Sequence, residues 1–131
     1  MKKALTILLA LALALSMLTM TAIAEEDTLK VICLLNGTLG DKSFFDSAAN
    51  GVKLINENIA NVEATYVEMG YDSSVWATTL ADVSDGDYDI IIVGTYQMQD
   101  ALQELAPQYP DNKYIIFDSN VNYEAGDCDN V

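Results

Sequence analysis

Short apolar runs alternate with helical segments along this chain of 131 residues, and the alternation constrains its fold more than any other feature. Four runs have the length and composition of strands, at positions 29–35, 62–69, 90–93 and 114–117. Buried strands of a parallel sheet are apolar because helices cover both of their faces. The pattern therefore predicts an α/β fold with a doubly wound parallel sheet.

Three amphipathic segments between these runs predict helices. The first begins after Ser43 and carries an apolar stripe with helical spacing, formed by Phe44, Ala48, Val52, Ile55 and Ile59. The second follows Asp72-Ser73-Ser74, and its inward residues are expected to be Val75, Thr79, Leu80 and Val83. The third covers about 97–106, with Met98, Leu102 and Leu105 facing the core. Ser43 and Asp46 are expected to form a capping box.

Right-handed crossovers predict the spatial strand order 2-1-3-4. In that order the first and third strands are neighbours, and the helices that follow them leave on opposite faces. Such an arrangement opens a crevice beyond the carboxyl ends of the strands, which is where ligands bind in open α/β sheets. Three segments are expected to converge there, at 36–45, 94–96 and 118–120.

The amino-terminal 24 residues have the pattern of a secretory signal peptide. A basic start, Met1-Lys2-Lys3, precedes an apolar run and the small-residue site Ala22-Ile23-Ala24. We expect cleavage after Ala24 and an exported domain over 25–131, in the periplasm or at the outer face of the cell membrane. The alternative is an uncleaved anchor, since 5–23 approaches the roughly 20 residues that span a bilayer. Cys33 does not follow a small-residue lipobox, so lipid attachment is not expected.

Charge and residue content exclude several classes of function. Acidic residues outnumber basic ones 20 to 6, which gives a formal net charge of −14, and the chain has no histidine. An acidic surface repels phosphate backbones, so nucleic acid is not an expected partner. Without histidine or a Cys/His cluster, neither a zinc site nor histidine-based catalysis is expected, and no cofactor is predicted. Two classes of function remain: binding of a neutral or cationic small ligand, and catalysis by an enzyme that uses only carboxylates.

The two cysteines are expected to stay unpaired, although an oxidising compartment favours disulfides. Cys33 lies in the first apolar run and has the character of a small buried hydrophobic residue. Cys128 lies in a polar tail.

The predicted crevice contains the candidate ligand-binding residues, which are Asp41, Lys42, Ser43, Phe44, Gly94, Thr95, Tyr96 and Asp118. Each has a purely structural alternative: Asp41 could cap its own helix, Lys42 could extend to water, Gly94 could be a turn glycine and Asp118 could cap the next turn. Trp76 and Tyr96 could contact a ligand ring or lie in the core. The glycines match neither a dinucleotide fingerprint nor a phosphate loop, and no nucleophile elbow is present.

Three ordered motifs carry a family resemblance. They are Gly40-Asp41-Lys42-Ser43-Phe44, the run from Asp89 to Thr95, and the run from Ala106 to Lys113 that leads into Ile115-Ile116-Phe117-Asp118. This series resembles the basic membrane protein family, the purine-nucleoside-receptor-like substrate-binding components of ABC transporters. The resemblance implies a type I periplasmic-binding fold, in which two lobes close on a ligand that is typically a nucleoside, and a membrane permease as partner.

Carried onto this sequence, the resemblance makes Asp41 and Phe44 ligand contacts of the first lobe, with Phe44 stacking on the base. Asp118 would contribute from the end of the fourth strand. Phe45 stands where the family often has Asn. Two lobes need about 300 residues, so the chain is expected to carry an incomplete N-terminal lobe with the second lobe absent.

The leading functional hypothesis is therefore an extracytoplasmic solute-binding component of an ABC importer, which is not an enzyme. A rival is a secreted hydrolase that uses Asp41 and Asp118 as a carboxylate pair on a glycosidic bond. A truncated fragment without function is a further alternative. A signalling receiver domain would fit the strand order, but the export signal argues against it.

Overall fold

A computed structural model describes residues 27–40, 42–125 and 128–131. The predicted signal peptide and Asp41 lie outside the described residues. The described part forms one four-stranded sheet in the order β2-β1-β3-β4, and every neighbouring pair is parallel. The predicted fold class and strand order are confirmed.

The strands and helices alternate as the sequence pattern predicts. The strands are β1 (Leu29–Leu35), β2 (Val62–Glu68), β3 (Ile90–Gly94) and β4 (Lys113–Phe117). The helices are α1 (Phe44–Asn58), α2 (Trp76–Ser84) and α3 (Gln99–Leu105). Short 3₁₀ turns precede α2 at Ser73–Val75, precede α3 at Tyr96–Met98 and follow it at Ala106–Gln108.

The core has two layers, one on each face of the sheet. On the first face α1 packs over β1 and β2, and its Val52 is buried with Val31, Cys33 and Ala64. On the second face α2 and α3 lie side by side over Ile91 and the rest of that core layer. Residues 31–35 of β1 are therefore buried on both sides, which explains why that run is apolar throughout.

The start of α2 differs from the predicted one by a residue. Val75 belongs to the preceding 3₁₀ turn and is 41% exposed, whereas Trp76 is 6% exposed. The Trp76 indole N–H donates to the Gly70 carbonyl at 3.0 Å, which satisfies its polar atom in the core. The expectation that Val75 faces inward is wrong. Of the two alternatives for Trp76, a contact with a ligand ring or a place in the core, the structure supports the core.

The predicted apolar stripe of α1 is correct at its centre and wrong at both ends. Phe44 is 37% exposed because the first helical residue lies over the carboxyl edge of the sheet, and Phe45 enters the core layer instead. Ile59 follows the last helical residue and is 53% exposed.

The predicted capping box also fails. Ser43 occupies the N-cap position of α1, but its side chain makes no capping hydrogen bond. The Asp46 carboxylate instead accepts hydrogen bonds from the backbone amides of Gly40 and Lys42, at 2.7 and 2.8 Å. Asp46 therefore holds the turn that leads into the helix.

The two cysteines lie in different core layers, and no disulfide joins them. Cys128 is only 1% exposed, and its sulfur accepts a hydrogen bond from Gln103 Nε2 at 3.1 Å, so its sequence position in a polar tail did not indicate its burial. The tail packs against the sheet because the Asn130 carbonyl accepts the Tyr114 amide at 2.8 Å. The Asn130 side-chain amide also donates to the carbonyls of Ala106, Tyr109 and Asn112, and the Ala106 and Tyr109 bonds are 3.0 Å long.

Within the described part of the chain, no helix is long and apolar enough to cross a membrane.

Truncation of a core residue on α2 should destabilise the fold. Leu80 is fully buried, so Leu80→Ala should lower the free energy of unfolding by about 2–5 kcal/mol through lost burial and a residual cavity. Leu54→Ala on the exposed side of α1, where Leu54 is 47% exposed, is the matched control and should cost much less. Equilibrium urea unfolding measures both, and equal losses would contradict the assigned core.

The Cys33 thiol should make the fold less stable at alkaline pH. Burial raises the pKa of Cys33 from 9.0 to about 11. The unfolded chain then loses this proton near pH 9, whereas the folded protein keeps it up to about pH 11, so the free energy of unfolding falls across that window.

A shift of this size corresponds to a loss of up to about 2–3 kcal/mol. Cys33→Ala should remove this part of the alkaline decline. Urea unfolding of both proteins at pH 8, 9, 10 and 11 measures the difference, and parallel pH curves would show that Cys33 does not contribute.

Candidate functional site

The loops that follow the four parallel strands meet at the carboxyl edge of the sheet. Asn36 begins the loop after β1, Thr95 the loop after β3 and Asp118 the loop after β4. The loop after β2 joins this edge through two backbone hydrogen bonds, Met69 N to Leu35 O at 2.8 Å and Gly70 N to Gly37 O at 3.1 Å. The topology thus brings all four loops to one surface.

Phe44 presents a partly exposed aromatic ring at this edge. Its ring centroid lies 5.4 Å from that of Phe45, with the planes almost perpendicular at 89°. The Phe117 ring is 5.5 Å away and tilted by 33°. Both spacings are those of favourable aromatic pairs. Phe44 is therefore held from two sides while 37% of the residue stays accessible.

Two glycines make room for the rings that support Phe44. A Cβ atom on Gly37 would lie 2.2 Å from Cε2 of Phe45, and one on Gly94 would lie 2.1 Å from Cζ of Phe117. Both distances are far below van der Waals contact. The close neighbour of Gly94 in the structure is therefore an aromatic ring of the protein, and a ligand contact by Gly94 stays a prediction.

A buried amide joins the loops after β1 and β3. Asn36 is 1% exposed, and its Nδ2 donates to Thr95 Oγ1 at 3.2 Å and to Gln97 Oε1 at 3.4 Å. Thr95 is 7% exposed and is the N-cap of the 3₁₀ turn before α3. Asn36 was not among the predicted site residues, although a polar residue directly after an apolar strand was the available signal.

Two polar residues at this edge have left-handed backbone conformations. Lys42 has φ = 55° and Asp118 has φ = 58°, and both are exposed. Such angles are uncommon for residues other than glycine, although aspartate adopts them more readily than most. Asp118 directly follows β4, so this turn begins at the carboxyl edge of the sheet.

Two tyrosines extend the exposed aromatic surface. Tyr96 is 70% exposed, so the structure does not place it in the core. Tyr71, in the loop after β2, is 67% exposed and makes an edge contact with Phe45 at 6.3 Å between centroids. Tyr71 was not among the predicted residues because the strand pattern assigns it no place at this edge.

The described members of the predicted site share the carboxyl edge. They are Lys42, Ser43, Phe44, Gly94, Thr95, Tyr96 and Asp118. Asp41 belongs to the same loop in sequence but lies outside the described residues. The roles of all these residues in binding stay predictions. Among the described residues there is no cluster of three potential metal ligands.

An apolar groove of about 720 Å³ begins at this edge and continues along α1. Phe44 and Phe117 line the end of the groove at the carboxyl edge, and Gly51, Ile55 and Ile92 line the part farther from that edge.

Residues 28–131 match the profile of the family described as Bmp, ABC transporter substrate-binding protein PnrA-like. The chain belongs to this family. Basic membrane protein A of Borreliella burgdorferi is 36% identical over 68% of the chain, and basic membrane protein A2 of Borrelia garinii subsp. bavariensis is 32% identical over 72%. The matched segments are 25% and 27% of those proteins, so the chain spans about a quarter of their length.

Solved structures agree with this assignment. A solute-binding protein of an ABC transporter system from Aeropyrum pernix K1 matches with a TM-score of 0.65 and 30% identity. That match covers 72% of this chain and 25% of the other. A second, from Conexibacter woesei, has a TM-score of 0.59 at 14% identity over 66% of this chain and 28% of its own, and it supports the fold alone.

The contact between Gly94 and Phe117 gives a test of how the site is held. Gly94→Ala should lower the free energy of unfolding by about 1–3 kcal/mol, because the new methyl group overlaps the ring. Gly51→Ala is the control: its Cβ would meet nothing within 4 Å, and alanine at this helical position should stabilise the fold by up to about 1 kcal/mol.

Phe117→Leu in the Gly94→Ala background should recover part of the loss. A double-mutant cycle by urea unfolding measures the coupling between the two positions. Additive effects would mean that the two residues are energetically independent.

Proposed function

We propose that the chain is the ligand-binding lobe of an extracytoplasmic solute-binding component of an ABC importer, and that its solute is nucleoside-like. The observation that carries the proposal is the Phe44 ring, which is partly exposed at the carboxyl edge in a chain of this family. A flat heterocycle can stack on such a ring. The rings of Phe45 and Phe117 fix its orientation before a ligand arrives. Preorganisation of this kind reduces the entropy lost on binding.

The polar residues of the edge would recognise the rest of the solute. In this proposal the carboxylates of Asp41 and Asp118 accept hydrogen bonds from ligand hydroxyls. Lys42, Ser43 and Tyr96 are exposed at the same edge and would supply donors. Gly94 and the buried Thr95 form the floor, and the Asn36 amide keeps this floor in register with the loop after β1.

The proposal extends to the whole receptor of which this chain would form one lobe. Residues 25–131 would form the N-terminal lobe, and the solute would lie between this lobe and a second one. The assembled receptor would deliver its solute to a membrane permease without chemical change, so no catalytic residue is assigned. Export is consistent with the extracytoplasmic location of the family and with the signal-peptide pattern of residues 1–24.

Saturation-transfer NMR with adenosine, inosine and uridine tests this proposal on the chain itself. Magnetisation should pass from the protein to the base protons, since these would lie against the Phe44 ring. Phe44→Ala should abolish the transfer, whereas Leu54→Ala on the exposed side of α1 should leave it unchanged. Transfer to none of the three nucleosides would reject a nucleoside-like solute for this edge.

The role of the Asp118 charge in ligand binding can be tested separately from the role of residue 118 in the backbone turn. Asn also adopts the left-handed conformation, so Asp118→Asn should preserve the fold while removing the charge. We expect binding of the nucleoside that gives the strongest transfer to weaken about tenfold, which corresponds to the loss of one charge-assisted hydrogen bond. Asp100→Asn, an exposed carboxylate on α3, is the control, and equal titration curves for both variants would exclude a contact by Asp118.

A further inference from the structure

One buried side chain determines which hydrogen-bonding groups the loop after β3 presents at the carboxyl edge. Asn36 is 1% exposed, and its amide nitrogen Nδ2 donates to Thr95 Oγ1 at 3.2 Å and to Gln97 Oε1 at 3.4 Å. The amide oxygen Oδ1 of Asn36 is also buried, and it has no hydrogen-bond partner among the described residues. Both donors of this amide are therefore used, whereas its acceptor is not.

The cost of burying polar groups favours this orientation of the Asn36 amide. If the amide were rotated by half a turn, Oδ1 would meet Thr95 and Gln97, and two N–H donors would be buried without acceptors. Unpartnered buried carbonyl groups are less rare in proteins than unpartnered buried N–H groups. Asn36 is therefore a donor toward both neighbours, and each neighbour turns an acceptor toward it.

This arrangement leaves Gln97 with its donors directed away from Asn36. Oε1 of Gln97 accepts from Asn36, and Nε2 lies on the other branch of the same planar amide. Gln97 is exposed, and no described residue accepts a hydrogen bond from its Nε2. The side chain thus offers two N–H donors at the carboxyl edge.

The Thr95 hydroxyl adds a further donor. Its Oγ1 accepts hydrogen bonds from Asn36 Nδ2 and from the backbone amide of Gln97, the second at 3.4 Å. Both lone pairs of the oxygen are then used, so any further hydrogen bond of this hydroxyl must be a donated one. The hydrogen-bonding capacity that remains on the side chains of Thr95 and Gln97 therefore consists of donors.

These donors and the Phe44 ring belong to the elements on the two sides of the crevice. Phe44 begins α1, which packs on one face of the sheet, and Gln97 lies in the 3₁₀ turn that leads into α3 on the other face. The Phe117 ring connects the two sides, because it lies 5.5 Å from the Phe44 ring and packs against Gly94 at the end of β3. A flat ring stacked on Phe44 would therefore lie next to the loop that carries the donors.

We propose that Gln97, oriented by Asn36, makes the site select a solute whose flat ring carries a carbonyl group over one that carries an amino group at the same position. This inference rests on the proposed function, and it specifies the class of nucleoside. A carbonyl oxygen accepts from the Gln97 amide, whereas an exocyclic amine would place N–H against N–H and leave those donors without an acceptor. The site should therefore prefer inosine to adenosine and uridine to cytidine.

Titration of the ¹⁵N-labelled chain with these four nucleosides tests the preference. Dissociation constants follow from the shifts of the backbone amide signals. Inosine and uridine should each bind about five- to tenfold more tightly than the amino-substituted partner, which corresponds to about one hydrogen bond. The side-chain NH₂ signals of Gln97, identified by their absence from Gln97→Leu, should also shift on titration with inosine. A residue that only stabilised the loop would not show this shift.

Two substitutions at position 97 test the role of its amide. Gln97→Leu should remove the preference, so that the two members of each pair bind equally. Gln97→Glu keeps an acceptor for Asn36 and presents a second carboxylate oxygen, so it should reverse the preference in favour of adenosine and cytidine. Gln108→Glu adds the same charge at an exposed glutamine beyond the other end of α3, and this control should retain the original preference. Circular dichroism checks that each variant folds.

The outcomes distinguish this inference from the proposed function. Binding with equal affinities within each pair would overturn the inference and leave the proposed function intact. A preference that persists in Gln97→Leu would do the same, since it would have to arise from another residue. If none of the four nucleosides binds, the proposed function fails and the inference fails with it.

Discussion

Burial of β1 on both faces is the constraint on which the rest of the molecule depends. The strand pairs with β2 on one side and β3 on the other, and residues 31–35 contribute to both core layers. Each face needs a helical cover, so α1, which follows β1, packs on one side and α3, which follows β3, packs on the other. That divergence opens the crevice at the carboxyl edge, so the position of the candidate site follows directly from the burial of a single strand.

The strand order and the sides of the helices could be predicted because they follow from periodicity and from the handedness of crossovers. The directions of individual side chains at the helix ends could not be predicted in this way. Phe44 and Phe45 are adjacent and equally apolar, and helical phase favoured burying the first. The structure packs Phe45 against the core because Gly37 leaves room for its ring, and this depends on a contact between residues that periodicity does not relate. Asn36 and Tyr71 were missed for the same reason, since their places are set by neighbouring loops.

The candidate site combines a rigid centre with an exposed rim. Its centre is the aromatic group around Phe44 together with the hydrogen bond between Asn36 and Thr95. Its rim consists of exposed residues such as Tyr71, Tyr96 and Asp118. A rigid centre suits recognition of a planar group by shape, and an accessible rim suits contacts that can vary among related receptors.

The fit between Gly37 and Phe45 also has a consequence for how this family can change in evolution. The overlap at Gly37 exists only because a ring occupies position 45. A relative with a small polar residue at that position has no ring to accommodate, so selection for glycine at position 37 is relaxed there. The two positions should therefore vary together across the family. A ring can be gained at position 45 only where position 37 is already glycine, whereas loss of the ring leaves no overlap at position 37.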